Sequence, residues 1–304
     1  KKEDVVVTMT GSGYVKRLPL ETYRQQGRGG KGVKGTGMKE EDYVDRLIVC
    51  GTHDSLLFFT DLGKVHWLKC YGVPEGGRYG KGGNIVNLLS LGPGEKVSAV
   101  VPLKGFSGGS LLMCTKKGLL KKTKLSEYSR PRKGGIVGIK LREGDKLIEV
   151  RLVNASDELV IGTKKGMAVR FKSGQVRDMG RNASGVRGVR LVDDVVVGMA
   201  NSRDTLLTVT ENGYGKRSKV EDYRLVNRGA KGVINIKCSS RNGKVVGVKQ
   251  VKDGDEVIFI TKQGQVTRVA VSNISVIGRN AQGVRLMKLN SGDKIIGVAK
   301  VANG

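Results

Sequence analysis

Seven consecutive residues, Gln26, Gly27, Arg28, Gly29, Gly30, Lys31 and Gly32, set two cations among four glycines, and Lys34 follows two positions later. Glycines let a backbone take left-handed angles and approach a ligand closely, so that successive N–H groups line a small anion-binding concavity. Arg28 adds a planar fork of donors and Lys31 a mobile point charge. Gln26 either donates to the same anion or bonds back to hold the loop. The chemistry is phosphate binding. It is not that of an ATP-binding P-loop, which needs Ser or Thr directly after its Lys, where Gly32 stands here. A phosphate cradle without a nucleotide suits the backbone of a nucleic acid. A single loop of this kind reads more readily as a solvated turn; recurrence reverses that reading.

A short apolar run ending in Thr, with Gly three residues later, occurs six times: Thr10 and Gly13, Thr60 and Gly63, Thr115 and Gly118, Thr163 and Gly166, Thr210 and Gly213, Thr261 and Gly264. The copies stand 47 to 55 residues apart, and a fixed period of this size marks stacked or radial units. Four residues beyond each Gly come Arg17, Trp67, Lys122, Arg170, Arg217 and Arg268, so five of the six are cationic. These either line a rim or occupy outward positions on exposed strands. Each later copy then crosses its own Gly-rich basic stretch, holding Arg78 and Lys81, Arg132 and Lys133, Arg181 and Arg187, Arg228 and Lys231, and Arg279 and Arg285. With Arg17 and Lys34, these are the candidate contacts for a polyanion.

The elements that carry the loops read as strands. Val5-Val6-Val7, Leu47-Ile48-Val49, Leu159-Val160-Ile161 and Val195-Val196-Val197 are short and rich in β-branched residues. Gly94-Glu95, Gly144-Asp145, Asn242-Gly243 and Gly292-Asp293 are hairpin signals between such runs. No stretch of about 12 residues keeps a helical period. The fold class is all-β: six units of about four strands in a propeller-like ring, either a closed disc or an open spiral, each blade covering its neighbour's apolar face. Blades 1–54, 55–109, 110–157, 158–204, 205–255 and 256–304 make a single bladed domain. Trp67, Tyr71, Tyr23, Tyr43, Tyr128 and Tyr223 are expected to pack within and between blades.

Lys and Arg number 55 against 28 Asp and Glu, a formal charge of +27 that calls for a polyanionic partner. No run of about 18 apolar residues spans a bilayer and no signal-peptide core opens the chain, so nucleic acid is favoured over a membrane. Aromatics are only 5% of the chain, too few for a row of base-stacking platforms; duplex read through its backbone fits better than a single strand. Cys50, Cys70, Cys114 and Cys238, with His53 and His66, lack metal-ligand spacing, so no metal is expected and the thiols read as small buried groups in a reducing cytosol. The two His, both within residues 53–66, and the few carboxylates disfavour a catalytic site in a central channel. The chain opens on Lys1 without Met and reads as a piece of a longer protein.

Residues 26–32 resemble the Gln-Arg-Arg-Gly-Gly-Lys-Gly box in the first blade of the C-terminal domains of bacterial DNA gyrase A proteins. Six of seven positions agree, and Gly27 replaces the second-position Arg. The sixfold period and the Thr-x-x-Gly signature also resemble that family's blades, so the resemblance covers nearly the whole chain. It implies a β-pinwheel whose blades lend strands to their neighbours. It implies further that the rim binds and bends double-stranded DNA, largely independently of sequence, and sets the handedness of the crossing that gyrase uses for ATP-dependent negative supercoiling. Such a domain is non-catalytic and holds no cofactor, ATP and Mg belonging to the full enzyme. The implied partners are DNA, the gyrase A catalytic core and gyrase B in the heterotetramer; the isolated domain is expected to be monomeric, and the location is the bacterial cytoplasm at the nucleoid. Two other readings compete: the corresponding C-terminal domain of topoisomerase IV, a related module without the full box, and a propeller that binds proteins through its flat faces.

Overall fold

The computed structural model describes residues 1–20, 44–77 and 80–301. The first repeat supplies β1 (Asp4–Thr10), β2 (Tyr14–Pro19) and β3 (Val44–Gly51), and the second β4 (Ser55–Thr60), β5 (Lys64–Lys69), β6 (Gly83–Asn84) and β7 (Val97–Leu103). The third holds β8 (Ser110–Thr115), β9 (Leu119–Lys124), β10 (Ile136–Val137) and β11 (Leu147–Val153), and the fourth β12 (Glu158–Thr163), β13 (Met167–Lys172), β14 (Val186–Arg187) and β15 (Val196–Asn201). The fifth has β16 (Thr205–Thr210), β17 (Tyr214–Lys219), β18 (Val233–Ile234) and β19 (Val245–Val251), and the sixth β20 (Glu256–Thr261), β21 (Val266–Ala270), β22 (Val284–Arg285) and β23 (Ile295–Val301).

These strands form six antiparallel sheets, ordered β3-β1-β2-β6, β7-β4-β5-β10, β11-β8-β9-β14, β15-β12-β13-β18, β19-β16-β17-β22 and β23-β20-β21. The outermost strand of each of the first five sheets is two residues long and comes from the next repeat. The fold is a six-bladed β-propeller in which each later repeat lends a strand back to the blade before it. Strands β7, β11, β15, β19 and β23 lie side by side in that order, and β23 lies against β3. Leu47 of β3 also packs with Ile258, Ile260 and Ala299, so the sixth sheet meets the first and the ring closes.

Each hydrophobic core lies between two successive repeats. Leu57, Phe59 and Val101 of the second pack with Leu111, Met113 and Tyr128 of the third, and Leu207 and Val209 of the fifth pack with Val257, Phe259 and Ile274 of the sixth. A strand sandwiched between two neighbours has no solvent face, which is why β4, β8 and β16 are buried along their whole length, β4 and β8 with uninterrupted apolar centres and β16 with Thr208 among its apolar residues. The helices described in full are short. A five-residue α-helix spans Ile85–Leu89, and a 3-10 turn follows the second hairpin strand at Cys70–Gly72, Leu125–Tyr128, Ser173–Gln175, Val220–Asp222 and Val271–Asn273. No described helix is long and apolar enough to cross a membrane.

Candidate nucleic-acid interface

The Thr-x-x-Gly signature is a turn that does two jobs. In all six copies the Gly N–H donates to the Thr carbonyl at 2.9 to 3.2 Å, and the Gly φ lies between +80° and +90°, a region open to glycine. A β-bulge falls at Thr10, Thr60, Thr163, Thr210 and Thr261 and opposite Thr115, and in five copies the Thr Oγ1 accepts the N–H four residues on, as from Tyr14 and Met167. The same Gly then offers its carbonyl to the next repeat: Gly63 to Gly138 and Ile139, Gly118 to Gly188 and Val189, Gly166 to Asn235 and Ile236, Gly213 to Leu286 and Met287. The loop after each turn therefore starts from a fixed point on the preceding blade.

The position four residues beyond that Gly is a clamp between blades. Arg17 donates to Val73 O at 2.8 Å, Lys122 to Ser173 O at 3.1 Å, Arg170 to Val220 O and Tyr223 O, and Arg217 to Val271 O and Ile274 O. All of these acceptors belong to the 3-10 turn of the next repeat or the residue just after it. Trp67, which broke the cationic pattern, does the same with its indole N–H, donating to Tyr128 O at 2.9 Å. The shared property is an N–H donor rather than a charge. Arg17, counted among the polyanion contacts, is turned inward onto Val73 and Glu75, and Arg217 is only 4% exposed. Arg268 in the sixth repeat is half-exposed and pairs with Glu256 at 2.9 Å.

The basic loops come together at the outer edges of the sheets, beside the borrowed strands. A Gly at one register, Gly82, Gly135, Gly185, Gly232 and Gly283, has φ of +80° to +99°, and a Cβ on it would fall 2.1 to 2.9 Å from a strand carbonyl of the preceding repeat. Only glycine lets the loop lie that close. Arg181, Arg228 and Arg279 stand four residues before three of these glycines and are half-buried. Each guanidinium caps the borrowed strand of the repeat before it: Arg181 on Val137 O at 3.1 Å, Arg228 on Arg187 O at 3.1 Å, Arg279 on Ile234 O. Lys81, Arg132, Lys133, Arg187, Lys231 and Arg285 are exposed along the same edge. Lys81 sits 5.7 Å over the Tyr14 ring and Arg285 5.6 Å over Tyr214, stacking that fixes a cation while leaving it outside. Gln26, Gly27, Arg28, Gly29, Gly30, Lys31, Gly32, Lys34 and Arg78 lie outside the described residues.

A second row of cations stands beside the first. Lys140, Arg190, Lys237 and Lys288, five residues beyond Gly135, Gly185, Gly232 and Gly283, are exposed, and the main-chain N–H groups of Lys140, Arg190 and Lys237 donate to Ala183, Ala230 and Ala281 in the loop of the next repeat. Sequence reasoning passed over them, although the fixed spacing from the loop glycine was their signal. Tyr128 and Tyr223 are fully buried as expected and Trp67 is partly so, whereas Tyr71 is 56% exposed, its ring edge-on to His53. Tyr23 and Tyr43 lie outside the described residues.

The family model of the DNA gyrase C-terminal domain, a beta-propeller, matches this chain over residues 4–50, 54–104, 109–154, 157–202, 204–252 and 255–302. The chain belongs to this family. It is 46% identical to the DNA gyrase A protein of Salmonella typhimurium over 99% of its length, and 46% identical to that of Clostridium acetobutylicum over the same share. It spans 35% and 37% of those two proteins, about a third of each. Among solved structures, the C-terminal domain of a DNA topoisomerase IV superposes with a TM-score of 0.83 at 26% identity, covering 99% of this chain and 94% of that one. A DNA gyrase A C-terminal domain gives 0.76 at 29% identity, covering 98% and 99%. Six matched segments set one per blade agree with the six sheets, and the gyrase family reading, made from residues 26–32 and the repeat, stands.

Proposed function

We propose that this chain binds duplex DNA along its outer edge, largely without regard to sequence, and bends it around the ring. In the assembled gyrase it sets the handedness of the DNA crossing that ATP-driven strand passage turns into negative supercoils. The chain is the non-catalytic wrapping part of a type II topoisomerase, working in the bacterial cytoplasm with the gyrase A catalytic core and gyrase B. ATP and Mg serve those partners.

One observation carries the reading: a pair of exposed cations recurs beside the borrowed strand on successive blades of a closed ring, one of each pair always five residues beyond the loop glycine. Arg187 with Arg190 in the fourth repeat is matched by Lys231 with Lys237 in the fifth and Arg285 with Lys288 in the sixth. Cations spaced around a curved edge meet phosphates one after another, so contact energy is gained only as the duplex follows the curve. Phosphate contact positions a duplex without reading its sequence. Nicked circles religated with and without the chain test the proposal: a change in linking number that grows with protein is expected and gives the sign of the wrap, and no change sinks it. In the intact enzyme, replacing Arg28 and Lys31 together with Ala is expected to cut supercoiling far more than relaxation. Equal loss of both would take the box out of the wrapping step.

A further inference from the structure

Three residues beyond the turn glycine, the first, third and fifth repeats carry Lys16, Lys121 and Lys216. Lys121 and Lys216 are wholly buried, and each ammonium lies beneath the basic loop of the next repeat. Lys121 Nζ donates to Arg181 O at 2.9 Å and to Gly138 O; Lys216 Nζ donates to Arg279 O at 2.7 Å, Gly278 O at 3.4 Å and Ser218 Oγ at 2.7 Å. Lys16 Nζ donates in the same way to Gly77 O and Gly80 O. In two repeats, then, the acceptor is the carbonyl of the very arginine that caps the borrowed strand.

We infer that Lys121 and Lys216 are positioning residues of the rim, each holding down the arginine-bearing loop of the following repeat and coupling duplex binding to the uptake of protons. The inference rests on the duplex reading above. Buried lysines are costly, and a neutral donor would have satisfied the same carbonyls. What an ammonium adds is a charge whose field crosses a thin loop with little water to screen it.

The groups around Lys121 are Glu127, which favours the charged form, Arg181, which opposes it, and Tyr128, whose hydroxyl donates to the same Gly138 carbonyl. Those around Lys216 are Arg279, which opposes the charge, Asp222, which favours it, and Ser218. Burial brings both amines down to about 7, so above neutrality each is short of its proton. A phosphate laid over the loop favours the ammonium and draws the proton back.

Isothermal titration of the 304-residue chain with a linear duplex of mixed sequence, at about pH 8 in two buffers of different ionisation enthalpy, counts the protons taken up. Net uptake is expected for the natural chain, about half of it in Lys121→Arg or Lys216→Arg, and none in the double variant, because Arg keeps its charge throughout. The double Lys→Met variant is expected to lose the uptake and to bind on the order of tenfold more weakly, with circular dichroism confirming the fold. Duplex binding without proton uptake, uptake that survives the double substitution, or a folded Met variant of unchanged affinity would each overturn the inference. A natural chain that does not bind duplex would instead overturn the reading on which it stands.

Discussion

At Arg217 a guanidinium almost without exposure gives its Nε to Thr205 Oγ1 and its NH1 to Asp253 and two carbonyls of the next blade. Asp253 is largely exposed, so the ion pair itself contributes little. The carbonyls matter more, since a buried acceptor that loses its donor keeps its desolvation penalty. Arg217→Met is therefore expected to cost about 2 to 3 kcal/mol, and Trp67→Phe, which removes one neutral donor, about 1 kcal/mol, both by equilibrium denaturation. If Arg217→Met were neutral, the clamp would be incidental. The buried lysines make a second residue-scale prediction, about pH. Their amines titrate near 7 in the folded chain and at the ordinary 10.5 when unfolded. Between those values the unfolded chain holds more protons, so stability rises with pH across that window, and the gain is lost again as pH falls to 7 and below. Melting curves between about pH 7 and 9 should show this rise, and replacing both lysines with Met should flatten it; an unchanged slope would place the titration elsewhere.

A borrowed strand of two residues is held by little more than its own ladder bonds and the glycine that lets it approach. Gly232 has φ of +84°, and a Cβ there would stand 2.1 Å from Ala168 O, while a Cβ on Gly278, in the loop of the sixth repeat, would meet nothing within 4 Å. Gly232→Ala is expected to cost at least about 2 kcal/mol from left-handed strain plus overlap with the strand, and amide exchange should quicken at Ala168, which pairs with Val233 of β18. Gly278→Ala should stay within about 0.5 kcal/mol. Protection at Ala168 retained in Gly232→Ala would mean that the loop gives way without releasing its strand. Much at this scale was legible beforehand. The Thr-x-x-Gly period marks the blades because a turn closed by Thr and a left-handed Gly leaves a chemical trace. Burial left a weaker one: Arg217 and Arg285 look alike in the sequence, yet one lies under the next blade and the other over the Tyr214 ring, and only pairing across some 50 to 70 residues separates them. Trp67 was the clue, since a clamp that accepts Trp cannot be choosing charge. Cys50 and Cys70, twenty residues apart, bring their Sγ atoms to 3.4 Å, a closeness set by the packing of the first two blades and absent from any local motif.

Over the whole ring, the charge available sets what a wrap can be. Duplex DNA carries one charge per ~1.7 Å, so +27 would neutralise at most about 46 Å of fully contacted helix. A bent duplex shows only one side to the protein, which lengthens the path served by the same cations. Bending costs about 1 to 6 kcal/mol for each 20 to 30 bp, and no single pair of surface cations offsets that. The two rows must act together, as many modest contacts spread around a closed ring. Charge removal should then be graded. Replacing Arg187 and Arg190 with Ala is expected to lower the slope of log affinity against log salt by up to about 1.8, equally for unrelated duplex sequences, and replacing Lys231 and Lys237 should add a similar decrement. The linking change on nicked circles should shrink in step with each pair removed, because every blade contributes a short arc of the same curve. A different result has a clear meaning: if either pair alone abolished the linking change while affinity fell only modestly, the bend would be made at one station, and the other blades would serve to hold that station in place.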